Sequence, residues 1–233
     1  MVVGANPFLT ASGYDVREII MNKVSRVVLG IAAVATIGVS LAACSSSGSG
    51  SKAAAKPVAD IAALTGQDTA VKLDTNFVAA LTSLKLTPGV VGTAKLTDGS
   101  LVFPITGGNV KYYTPGTVTP YVQGSVKHDG SGFSLSAGST KVELTNFDID
   151  PGASKLYGDV SVNGTTAATH TLLFGLNGNT LKPLQTSGNT AILQGTEVQV
   201  SQNAADLLDK TFGTTAVKGG LLVGVATITV NTK

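Results

Sequence analysis

Short runs rich in Val, Ile, Thr and aromatic residues recur along most of this chain, each closed by Gly, Asn or Asp. That rhythm restricts the fold more than any other feature. From about residue 60 the runs lie at 70–73, 92–96, 100–105, 109–113, 121–128 and 133–137. They continue at 140–149, 155–162, 169–176, 191–193, 196–200 and 223–230. Strands spaced roughly eight to twelve residues apart favour closed or stacked antiparallel sheets over βαβ units. The expected class is mainly β, an antiparallel β-sandwich or barrel with two short capping helices. Turn chemistry agrees: Asn163-Gly164 is the strongest type I′ signal in the chain, and His128-Asp129-Gly130-Ser131-Gly132 reads as a hairpin loop.

One strand carries an internal contradiction. Val142 and Leu144 share a face, yet Phe147 and Ile149 fall out of step with them. A bulge near Thr145-Asn146 returns both pairs to one core face and leaves Asp148 and Asp150 pointing to solvent.

Two segments read as helices. Asp74 caps residues 75–84, with Phe77, Leu81 and Leu84 at i, i+4 and i+7. Ser201 caps residues 202–211, with Ala204, Leu207 and Leu208 as the stripe. Similar runs flank both, 69–73 and 91–97 around the first and 196–200 and 223–229 around the second. The pattern is that of an internal repeat of strand, capped helix, linker and strand, expected to plug the two ends of the β structure. Chance similarity in a Val/Thr/Ala-rich chain is the competing explanation.

The N-terminal part gives an address. Lys23 and Arg26 precede the apolar run 27–39. As a helix that run is about 20 Å long, short of the ~30 Å hydrocarbon core, so it suits a signal-peptide h-region rather than a permanent span. It ends in Leu41-Ala42-Ala43-Cys44, where small residues admit a peptidase, and the segment resembles the lipobox of bacterial lipoproteins. That resemblance implies that Cys44 is diacylated on sulfur and becomes the new N-terminus on the outer side of the cell membrane. Residues 1–20 are expected to be an upstream extension, with 21–43 the signal peptide and 44–59 a Ser/Gly/Ala tether. The remainder, 60–233, is expected to be a single β-rich extracytoplasmic domain. A random coil of roughly 20 residues spans about 25 Å, so the tether holds the domain off the lipid without fixing its orientation.

Composition removes several functions. Only 13% of residues are charged and the net charge is +2, which leaves no polybasic case for nucleic acid. Cys44 is the only cysteine, so no intrachain disulfide or cysteine-rich metal site is available. Both arginines, Arg17 and Arg26, precede Cys44, which removes bidentate anion clamping from the domain. No G-x-S-x-G, H-E-x-x-H, G-x-x-x-x-G-K or C-x-x-C occurs. Only His128 and His170 could serve as a neutral-pH base. His128 lies beside Asp129, Ser131 and Ser134, but neighbours in a loop supply neither an oriented base nor a strained nucleophile, so an exposed turn is expected there. His170, between Thr169 and Thr171, is expected on a solvent-facing strand. Asn146, Asp148 and Asp150 have calcium-like spacing but lack a distal bidentate Glu, and a strand-end turn explains them as well. With no Trp and few other aromatics, a sugar-cleaving carboxylate pair lacks its usual platform.

Tyr112, Tyr113, Tyr121 and Phe133 gather around His128 in sequence, and residues 121–164 carry a second resemblance. Gly124-Ser125-Val126-Lys127-His128, Phe133-Ser134-Leu135-Ser136 and Leu156-Tyr157-Gly158-Asp159-Val160 together resemble the HtaA domain, a haem-binding module of actinobacterial surface proteins. The resemblance implies β structure, a tyrosine iron ligand and an assisting histidine, with His128 at the assisting position. The family's ligand tyrosine lies early in the domain, in an S-F-x-x-Y-type segment. The nearest segment here, Asn76-Phe77-Val78-Ala79-Ala80-Leu81, contains no Tyr. Three functions therefore stand as expectations. The first is a non-catalytic, lipid-anchored envelope domain with a structural or binding role and no cofactor. The second is an HtaA-like haem or small-ligand binder using Tyr112, Tyr113, Tyr121 and His128, and the third is an envelope hydrolase. The expected partners are membrane lipid through acylated Cys44 and an envelope component or small apolar ligand.

Overall fold

The computed structural model describes residues 54–232, within a compact unit spanning Lys52–Lys233. The segments expected to be the upstream extension, the signal peptide, the acylated Cys44 and the first part of the tether lie outside the described residues. Thirteen strands form one antiparallel sheet: β1 (Ala59–Ile61), β2 (Gln67–Leu73), β3 (Thr87–Gly92), β4 (Lys95–Thr97), β5 (Ser100–Pro104), β6 (Gly107–Tyr112) and β7 (Val122–Ala137). The rest are β8 (Thr140–Asp150), β9 (Lys155–Val162), β10 (Thr165–Asn177), β11 (Gln185–Ser187), β12 (Thr190–Val200) and β13 (Leu222–Asn231). Helix α1 (Thr75–Ser83) follows β2 and α2 (Gln202–Phe212) follows β12.

The sheet runs β1-β6-β7-β8-β9-β10-β12-β13-β2-β5-β4 and curls into a half-barrel. Its curl is visible where β5 hands over to β6. Pro104 still pairs with Asp68 of β2, and three residues on Gly107 pairs with Lys127 of β7. Between them Ile105 N–H donates to Gln67 O and Thr106 N–H to Lys127 O, each at 2.8 Å. One continuous stretch thus stitches two strands that are far apart in the sheet order. The barrel-like expectation holds.

Hairpin and bulge chemistry follow from single residues. Asn163 and Gly164 turn β9 into β10 with φ of 51° and 80°, the left-handed pair a type I′ turn requires. The phase slip in β8 is resolved by a bulge between Thr145 and Asp148, where Asn146 takes φ 53°. Val142, Leu144, Phe147 and Ile149 are consequently all buried, while Asp148 and Asp150 lie on the other face, half-buried. The bulge is held by its own side chain: Asn146 Oδ1 accepts from Gly130 N–H at 2.9 Å and Nδ2 donates to Asp159 Oδ2 at 2.8 Å.

Both helix caps form as their sequences dictate. Asp74 Oδ1 accepts from Asn76 N–H at 2.8 Å, and Ser201 Oγ accepts from Ala204 N–H at 3.1 Å. The expected plugs at two ends are corrected. Phe77, Leu81 and Leu84 of α1 and Ala204 and Leu208 of α2 line one shared apolar space with Phe133, Leu135 and Leu144, so both helices close the same end. The two units also differ in topology. Strand β13 pairs directly with β12, whereas β3 leaves β2 and pairs with β7.

Two loop expectations are corrected as well. His128-Asp129-Gly130-Ser131-Gly132 is no hairpin but a register shift inside the single long strand β7. Gly130 sits there at φ 72°, the left-handed geometry of a bulge. Runs 191–193 and 196–200 likewise fuse into β12, with Gly195 (φ 101°) at the irregularity between them.

Candidate functional site

The end of the curled sheet away from α1 and α2 contains a cavity of about 360 Å³, lined in part by the 3₁₀ turn Gly178–Thr180. Its walls come from β1, β2, the end of β6, the start of β7, the end of β8, the start of β9, the end of β10, most of β12 and the second half of β13. Val126, Ile149, Leu156, Val198, Ala226 and Val230 face into it, all buried. They are the inward half of each strand's alternation; α1 and α2 plug the other end, while Leu181 and Leu184 pack along this one without filling it. No Lys, Arg, Asp, Glu or His is among the lining residues. The polar lining residues besides the tyrosines are Thr69, which is buried, Ser154, Asn177 and Thr196, which are half-buried, and Thr119 and Asn179, which are exposed.

The tyrosine and histidine residues singled out in the sequence do not form one cluster. Tyr112 and Tyr121, both half-buried, line the cavity beside exposed Thr119 and meet edge to face at 5.7 Å and 84°. Burial pushes the Tyr121 phenol above its ordinary pKa, and Tyr112 adds to that rise. Tyr113 does not line the cavity; its N–H donates to Tyr121 O at 2.7 Å, extending the β6–β7 pairing by one residue. Phe133 lies at the helix end of the core.

His128 is the largest correction. It is 1% exposed, not a surface turn. The insertion that looked like a loop is a bulge, which keeps His128 in β7 two residues beyond Val126 and on the same inward face. Its ring packs edge-on against Phe103, with centroids 6.4 Å apart. Nδ1 lies 3.3 Å from Phe147 O and Nε2 lies 2.8 Å from Thr69 Oγ1. A carbonyl only accepts, so Nδ1 carries the proton, Nε2 is the acceptor, and the Thr69 hydroxyl donates to it. Burial lowers the His128 pKa to about 4, against the opposing pull of the Phe147 carbonyl and of Asp148 and Asp129. His128 is therefore neutral at physiological pH, and both ring nitrogens are occupied. It touches the cavity only through Thr69, which lines it. Sequence reasoning missed Thr69, whose run gives no sign that a histidine 59 positions away binds it.

His170 is exposed, as expected, at an irregular point of β10 (φ 43°), stacked on Tyr157 at 4.8 Å. Its N–H donates to Asp159 Oδ1 at 2.8 Å. That bond and the stronger one from Asn146 hold the Asp159 carboxyl below its usual range. Asn146, Asp148 and Asp150 do not converge on a cation. Asn146 is spent on the bulge, Asp148 accepts from Ser125 Oγ at 2.5 Å, and Asp150 accepts from Ala153 N–H at 2.8 Å. Among the described residues no group of three or more His, Cys, Asp or Glu could hold a metal ion.

For a haem, the lining offers the phenols of Tyr112 and Tyr121 as iron ligands, but no imidazole and no cation for the propionates.

No family model matches this chain, and no curated protein matches it. Among solved structures it is similar to the C-terminal domain of HtaA from Corynebacterium glutamicum, at 14% identity and a TM-score of 0.51, over 72% of this chain and 98% of that one. It is also similar to the haem-binding protein HtaB of the same organism, at 10% identity and a TM-score of 0.47, over 75% of this chain and 96% of that one. The first of these likenesses shows a shared fold.

Proposed function

We propose that this protein is a cell-envelope lipoprotein, anchored through Cys44, whose β-rich domain binds a neutral apolar small molecule without transforming it. The cavity carries this reading. About 360 Å³ is more than twice the ~150 Å³ that suffices to bind benzene in an apolar protein cavity, and it falls in the range of small-molecule sites. An ion entering it would lose hydration with no charged partner, whereas an apolar body would gain from every Å² removed from water. A non-catalytic role is supported by the engagement of His128 with Thr69 and Phe147, which leaves no imidazole aimed at a ligand.

Haem is the second reading. It is favoured by the HtaA-like fold and by two tyrosines at the mouth, and opposed by the uncharged lining. Titrating the unit Lys52–Lys233 with Nile red, a neutral apolar dye, and separately with haemin distinguishes them. Saturable Nile red emission without a haemin Soret shift is expected. A stoichiometric Soret shift lost in Tyr112→Phe or Tyr121→Phe would replace the first reading by the second. The anchor is checked by intact mass after expression in a bacterium. Two acyl chains on Cys44, absent in Cys44→Ser, are expected, and an unmodified thiol would refute the anchored part.

A further inference from the structure

Three features of the cavity point to the same class of occupant. The first is where the chain enters the domain. Ala59, the first residue of β1, pairs with Tyr112 and lines the cavity, and Val58 N–H donates to Tyr112 O at 2.7 Å. Tyr112 in turn packs on Tyr121 at the mouth. The polypeptide that leads back to Cys44 therefore leaves the domain beside the cavity's opening, and both helices lie at the far end. The second is the absence of charge from the lining, combined with the exposed polar residues Thr119 and Asn179 on its solvent side. Such a site accepts a tail and leaves a polar head outside. The third is size, since about 360 Å³ falls in the range of small-molecule sites and gives room for a hydrocarbon chain.

We infer that the cavity takes a single acyl chain of a lipid from the membrane on which the tether holds the domain, entering at the rim formed by Ala59, Tyr112 and Tyr121. This deepens the binding reading above and rests on it. The tether expected from the Ser/Gly/Ala composition joins the domain at that rim, which makes the rim the part of the cavity nearest the anchor along the chain.

The test uses the unit Lys52–Lys233, which contains its own core. It is tied to phosphatidylcholine vesicles that carry pyrenyldecanoyl phosphatidylcholine at excimer-forming density. One preparation is attached through an N-terminal His tag and a nickel-chelating lipid. The other is attached through Thr215→Cys and a maleimide lipid, at the helix end, using a unit that otherwise has no cysteine. Withdrawal of a pyrenyl chain converts excimer to monomer emission. The N-terminally attached protein is expected to raise monomer emission several-fold faster than the one attached at 215. Ala226→Phe and Val198→Phe, each filling the cavity, should abolish the rise while leaving the circular dichroism unchanged. No rise in wild type, with Nile red still bound, would overturn the acyl-chain class and leave the cavity reading standing. Equal rates from the two attachments would overturn the membrane-facing mouth, and failure of both probes would remove cavity and chain together.

Discussion

His128 shows how much one buried polar group can contribute when its partners are complete. Unfolded, it titrates near pH 6.5; folded, its pKa is about 4, so between those values the unfolded chain binds the extra proton. Stability from this residue is fully present above about pH 6.5 and is lost as pH falls towards 4, by on the order of 3 kcal/mol. Urea midpoints measured from pH 7.5 to 4 should fall in wild type and fall markedly less in His128→Gln. Parallel curves would contradict the burial of a neutral ring. Thr69→Val strands the Nε2 acceptor and should cost about 1–3 kcal/mol, whereas Thr69→Ser should restore most of it. The ¹⁵N shifts of the ring in wild type should report the Nδ1–H form. Neither Thr69 nor the burial of His128 was legible beforehand. A histidine followed by Asp-Gly-Ser-Gly has the local signature of a turn, and only the pairing of β7 with β8 on both sides of the irregularity keeps the strand continuous.

Strand and helix elements were legible to the degree that their signals are local. The type I′ pair Asn163-Gly164, the caps Asp74 and Ser201 and the bulge at Asn146 each rest on one or two residues, and each formed as expected. Where an element depends on distant partners the reading slipped. Strand β3 begins at Thr87 with exposed Thr87 and Pro88, and exists because β7 offers an edge; nothing apolar in its first residues announces it. Short β1 was absent for the same reason, being defined by its pairing with β6. The bulge in β8 gives the sharpest test at this scale. Asn146→Ala removes both side-chain bonds and a residue type suited to φ 53°, and should lower stability by about 1–3 kcal/mol. Asn146→Gly, which restores the backbone freedom alone, should recover part of that loss. Equal loss in both variants would assign the whole effect to the side-chain bonds.

Across the whole molecule the decisive fact is asymmetry. Two amphipathic helices converge on one end of a curled sheet and fill it with Phe77, Leu81, Ala204 and Leu208, while the other end keeps an uncharged interior beside β1, the first strand of the described chain. Apolar alternation along each strand foretold an apolar interior. It could not foretell that the interior is partly empty, because the walls come from strands as distant as β1 and β13 and their spacing is set by curl, not by local pattern. The most direct measurement of the central claim is a ¹H–¹³C methyl spectrum of the unit Lys52–Lys233 titrated with 1-decanol. Val126, Ile149, Leu156 and Val198 methyl resonances should shift saturably, while those of Leu81, Leu135 and Leu208 at the helix end stay in place. Shifts confined to the helix end, or none at saturating alcohol, would contradict a ligand site inside the open end of the sheet.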